Sequence, residues 1–257
     1  MTPQSGSNRI LILLLLGLIV LSWISLWAWN ESPAKVFLGH NASPSVNQID
    51  LIFGLIFVLG WTLMVFAMML PTTIPLILSF HNLINDEPNH KTLIISLIIG
   101  YVGIWSALGL AVHIIHMAIH LIASQYVITS GTTRIIVAIA LALCGLYQFT
   151  NLKYQCLIKC RSPFSFILAQ WHGNSSIKQA LFLGYKHGVY CIGCCWTLMM
   201  LMFLTGSTIL LLMMMSGGTM AVEKNSYWGL SIKNPLGCLF LLTAAGVIVW
   251  PLVIQNQ

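Results

Sequence analysis

Charge is the scarcest commodity in this sequence. Eleven Lys and Arg and five Asp and Glu make up 6% of the 257 residues, against about 25% in a soluble domain. So few charges cannot coat a water-facing surface, which excludes an ordinary soluble globule. Disorder is excluded as well, because a disordered chain is poor in apolar residues and these are 58% here. The net charge is +6, yet the basic residues stand singly or in pairs between apolar runs, so nucleic acid is not an expected partner. They read instead as an orientation signal for a membrane protein. Carboxylates are missing from the interiors of the apolar runs; Asp50 and Glu223 lie at their edges, leaving no residues for a carboxylate proton relay. No phosphate-cradling loop and no serine nucleophile elbow is present, so no catalytic constellation is expected.

What the chain does have is length in its apolar runs. A helix rising about 1.5 Å per residue needs roughly 20 apolar residues to cross a bilayer. The expected spans are 10–29, 51–70, 92–116, 135–151, 187–205, 207–223 and 236–254. The fold class expected is therefore an all-α, polytopic transmembrane helix bundle of seven spans, with six as the alternative, forming one integral membrane domain over 1–257. The first run is too long for a signal peptide and lacks a small-residue cleavage pattern. Pro71 and Pro75 should kink or end the second. Gly103, Ala107 and Ala111 offer a small-xxx-small face for close helix contact. Phe164, Phe166, Ile167, Leu168 and Trp171, in the polar stretch after span four, suggest a short interfacial helix. Thr205-Gly206-Ser207 is the natural turn between spans five and six. With seven spans and the amino terminus in the cytoplasm, only Lys35 and Arg134 of the eleven basic residues fall outside, the better fit to the positive-inside rule.

Connectivity alone brings the end of span two, the start of span three, the end of span four and the start of span five to one side. Sulfur is concentrated there: Met64, Met68 and Met69, then Cys156 and Cys160, then Cys191, Cys194 and Cys195 behind His187. At 100° per residue, His187, Cys191, Cys194, Cys195 and Met202 form one helical stripe with Trp196 opposite. Cys156 and Cys160 are i, i+4 neighbours. Thiolate and thioether donors favour Cu(I), and thiolate with imidazole also suits Zn(II). Lone residues such as Cys144 and Cys238 read as packing. A second face, His113, His116 and His120, has metal-ligand spacing but lies at the opposite end of span three. His40, His81, His90 and His172 read as loop residues.

The strings WTLMVFAMMLP (61–71), YQFTNLKYQCLIKCRSP (147–163), HGVYCIGCCWTLM (187–199) and AVEK (221–224) resemble, in order, a bacterial domain-of-unknown-function family of predicted metal-binding integral membrane proteins. The resemblance covers about 60–224. It implies a bacterial inner-membrane protein with a metal site at Cys156, Cys160, Cys191, Cys194 and Cys195, with His187, Met68 and Met69 beside it.

The leading expectation is an integral membrane protein that binds a soft metal ion at its cytoplasmic side for delivery, transfer or export. Copper is the favoured ion and zinc the other candidate; partners are the lipid bilayer and a membrane protein or metallochaperone that exchanges the metal. The alternatives are a membrane thiol-disulfide oxidoreductase using the Cys191 and Cys194 pair, and an accessory subunit whose cysteines only pack.

Overall fold

Each expected span lies within or overlaps a helix. The computed structural model describes residues 3–32, 50–123, 130–173, 176–201 and 209–254, and every statement below concerns these. They form ten helices and no strand: α1 (Pro3–Glu31), α2 (Asp50–Met68), α3 (Leu70–Leu83), α4 (His90–Ala123), α5 (Ser130–Gln148), α6 (Asn151–Arg161), α7 (Pro163–Gln170), α8 (Ile177–Leu201), α9 (Ile209–Asn225) and α10 (Gly229–Ile254). The all-α reading holds. Thr205-Gly206-Ser207, Met202, Lys35 and His40 lie outside the described residues.

Among the described residues, fewer helices than the seven expected spans stand out as membrane crossings by length and apolarity alone. Three helical segments, Asn8–Glu31, His90–Ile119 and Gly229–Val249, are each long and apolar enough to cross a bilayer. Two bent pairs, Gly54–Met68 with Leu70–Leu83 and Arg134–Gln148 with Asn151–Arg161, raise the number to at most five. The chain is thus compatible with a membrane protein. α8 and α9 are not in this set. α8 carries Lys178, Lys186 and His187 in its first half, α9 carries Glu223 and Lys224 near its end, and both border residues 202–208, which lie outside the described residues.

The two bends follow from local chemistry. Pro71 and Pro75 lack the backbone N–H an interior helical turn needs, and α2 gives way to α3 at Met69 with a turn of 66°. The Ala67 carbonyl, which the missing Pro71 N–H leaves free, accepts from Trp23 Nε1 at 3.1 Å, and Thr72 and Thr73 donate their hydroxyls to the Met69 and Leu70 carbonyls at 2.8 and 2.9 Å. At the second bend, of 61°, Thr150 is extended and caps α6 by accepting the Lys153 N–H. α7 is the short apolar helix expected after span four. Its Phe166 and Ile167 are buried against α3, with Trp171 edge-on to Phe80 at 4.9 Å. Phe164 and Leu168 stay exposed.

α4 packs most extensively on α8, α10 on α5, α6 on α8, and α2 on α4. The small residues that allow the α4–α8 contact differ from those expected. Gly103, Ala107 and Ala111 face outward. Contact is made instead at Gly100 and at Gly184 and Gly188, a G-x-x-x-G pair on α8. A Cβ at Gly184 would collide with the Leu97 carbonyl, one at Gly100 with the Leu181 carbonyl, and one at Gly188 with the Ile104 side chain. His81 also departs from expectation: it lies in α3, buried, not in a loop. His90 opens α4, 6.2 Å from the His81 ring.

The glycine contact generates a paired prediction. Gly184→Ala should destabilise the fold by at least about 1–3 kcal/mol, the usual scale for forced overpacking. Gly103→Ala, whose Cβ would meet nothing within 4 Å, should be neutral. Thermal unfolding in detergent of the two variants against the parent checks both.

Candidate metal centre

α8 buries one stripe and exposes the other, as the 100° arithmetic requires. Cys191, Cys194 and Cys195 are fully enclosed and His187 nearly so, while Trp196 is 37% exposed. α8 begins at Ile177, ten residues before the expected span start. Cys191 therefore lies about 21 Å along the helix rather than at its mouth.

α6 brings the second pair of cysteines. Its buried face is Lys153, Cys156, Leu157 and Cys160, an i, i+3, i+4, i+7 set. Cys160 Sγ lies 3.8 Å from Cys194 Sγ, and Cys194 Sγ lies 3.2 Å from Cys195 Sγ. Cys194 also donates to the Cys191 carbonyl at 3.2 Å. Cys156 Sγ rests against Gly193, where a Cβ would collide with it, and the Tyr147 hydroxyl donates to the Gly193 carbonyl.

Cys191 is the hub. Its Sγ is 3.1 Å from the Tyr101 hydroxyl, 4.0 Å from Met69 Sδ and 2.9 Å from Lys224 Nζ. Lys224 also donates to Thr72 Oγ1 at 3.1 Å. Met64 and Met68 are buried in the same sulfur-rich core, and Met69 is the one whose sulfur reaches a thiol. His187, one turn before Cys191, is packed between the Tyr101 and Phe166 rings at 5.8 and 5.5 Å. Its Nδ1 has no hydrogen-bond partner. All seven cysteines are free. Among the described residues, no three His, Cys, Asp or Glu side chains stand in a ready coordination cage. The thiols are adjacent, but they point at one another, at a backbone carbonyl and at an ammonium.

Beside the sulfur lies an ion pair. Lys153 Nζ is 2.8 and 3.0 Å from the Glu223 carboxylate oxygens, with both side chains enclosed, and it also donates to Gln148. Glu223, an edge residue by sequence, is thus interior. Arg161 donates to the carbonyls of Glu223, Ser226 and Tyr227 at 2.5, 2.7 and 3.3 Å, satisfying acceptors at the α9 carboxyl end.

The histidine face is a different matter. His113 packs on Phe57, ring centres 5.0 Å apart, and its Nε2 abuts Gly54; the His120 side chain lies outside what is described. Cys144 donates to the Thr197 carbonyl at 3.6 Å, a packing role as expected. Tyr101, Thr72 and Lys224 are the residues that sequence reasoning missed. The AVEK string marked Lys224 without revealing its neighbour.

Residues 58–249 match the model of the PpoB2 family, described as a copper chaperone. That is well over half of the chain, and the chain belongs to this family. No curated protein and no solved structure matches it.

The enclosed ion pair generates a cycle of variants. Lys153→Met or Glu223→Gln alone should cost about 3–5 kcal/mol, because each leaves a buried partner uncompensated. The pair Lys153→Met with Glu223→Gln should recover much of that loss. Chemical denaturation in detergent reads all three.

Proposed function

We propose that this member of the copper chaperone family carries Cu(I) as cargo on the thiols that α6 and α8 bring together. The ligands are Cys191, Cys194, Cys195 and Cys160. Met69 is the adjacent thioether, Cys156 and His187 flank the group, and Met64 and Met68 continue the soft-donor line along α2. The observation that carries this reading is the 3.8 Å approach of Cys160 Sγ to Cys194 Sγ, which joins two segments 34 residues apart in sequence. Buried thiols at that separation are explained by soft-metal chemistry better than by packing, since thiolate and thioether donors select Cu(I). Glu223, the nearby carboxylate, is already committed to Lys153, so it does not compete for the ion.

Loading requires the thiols to turn from one another toward the ion and two of them to lose protons. Several soft donors in close succession suit a carrier, because the ion can pass from one sulfur pair to the next without ever being free. Delivery is then to a membrane protein or metallochaperone offering sulfur ligands of its own.

The same reading places the chain in a bacterial inner membrane with seven crossings, α8 and α9 among them, and the amino terminus in the cytoplasm. Lys153 and Lys224 are buried and carry no orientation signal. Without them, Arg9, Lys91, Lys159, Arg161, Lys178, Lys186 and Lys233 remain on the cytoplasmic side against Lys35 and Arg134, so the bias persists. α8 and α9 cross beside partners that bury His187, Glu223 and Lys224, which lets helices of modest apolarity reside in a bilayer.

Protein purified anaerobically in detergent should hold stoichiometric copper, detectable by elemental analysis and removable by a Cu(I) chelator. The double substitution Cys191→Ser with Cys194→Ser should abolish that copper. Absence of copper from the parent after Cu(I) loading, or undiminished copper in the double variant, contradicts the proposal.

A further inference from the structure

We infer that Lys224 is the internal counter-ion of the thiol site, fixing the charge that a bound ion and its thiolates must together carry. This rests on the copper reading above and goes beyond it by assigning selectivity to a residue that binds no metal. Lys224 is 5% exposed, and its Nζ lies 2.9 Å from Cys191 Sγ. The carboxylate next to it in sequence does not neutralise it, for Glu223 turns to α6 and is held by Lys153. Arg161, the other charged group at this junction, binds carbonyls of α9 and the turn after it. Sulfur is therefore the group that faces the ammonium, and a buried ammonium needs an anion.

Charge counting then discriminates between ions. With two of the four cysteines bonded as thiolates and the other two as neutral thiols, Cu(I) carries one net negative charge, which one ammonium cancels. A divalent ion on the same donors is neutral and leaves the ammonium uncompensated in an apolar core. Displacement of Lys224 by the incoming ion is disfavoured for the same reason, since a stranded buried cation is costly. Its second bond, to Thr72 Oγ1 at 3.1 Å, holds it in place while Cys191 engages the ion.

The test uses Lys224→Met, of similar length without charge, and Lys224→Arg, which keeps the charge. Cu(I) and Zn(II) affinities are measured by chelator competition on the full chain, with thermal unfolding of the metal-free forms alongside. Lys224→Met should weaken Cu(I) about tenfold or more, the scale of one charge-assisted interaction, and Zn(II) by less than about threefold. Lys224→Arg should hold Cu(I) within about threefold of the parent. Unchanged Cu(I) affinity in Lys224→Met overturns the inference, as does equal weakening of both ions. If Lys224→Met does not fold, a folded Lys224→Arg with Cu(I) weakened tenfold overturns it instead. A parent protein that binds no Cu(I) defeats the copper reading, a result separable from all of these.

Discussion

The close approach of neighbours to α8 is the constraint from which the site follows. Gly184 and Gly188 remove the side chains that would hold α4 away, and Gly193 does the same for α6. The three glycines lie along the segment that carries His187, Cys191, Cys194 and Cys195. Approach of α4 sets the Tyr101 hydroxyl against Cys191 Sγ. Approach of α6 sets Cys156 against Gly193 and Cys160 against Cys194. A Cβ at Gly184 would meet the Leu97 carbonyl and push the two backbones apart, and one at Gly188 or Gly193 would displace the Ile104 or Cys156 side chain. Thiols, with short and unbranched side chains, can meet only if backbones come this close.

Charge supplies the second layer of order. A chain with so few ionisable residues places Lys153, Arg161, Glu223 and Lys224 together where α6 meets α9. Glu223 and Lys224 are consecutive yet face opposite ways, one to Lys153 on α6 and the other to Cys191 on α8 and Thr72 on α3. The end of α9 is thereby fastened to three helices at once. Interactions of this kind specify one arrangement more than they add stability, because enclosing ions is expensive and only complete pairing offsets the expense.

The sequence displays some of this and conceals the rest for identifiable reasons. Helices show in the apolar runs, and the break at Met69 shows in Pro71 and Pro75. The buried stripe of α8 shows in its spacing, because helical periodicity is a local property. The extent of α8 does not show: Lys178, Gln179 and Lys186 look like a solvated loop although these residue types favour helix. Gly103, Ala107 and Ala111 make as good a small-residue face as Gly100, and only the position of α8 decides between them. Tyr101 and Lys224 stand 90 and 33 residues from Cys191, so their contacts are tertiary and leave no local mark. Lys224 and Lys153 read as orientation charges in the sequence, because composition cannot tell an enclosed lysine from a wet one.

Copper K-edge X-ray absorption on the Cu(I)-loaded protein addresses the central claim directly, because it reads the atoms bonded to the ion. A first shell of sulfur alone, losing sulfur when Cys160 is replaced by Ser, is the result that convergence of α6 and α8 demands. A first shell of nitrogen or oxygen, or a sulfur shell indifferent to Cys160, would mean that copper rides elsewhere on the chain.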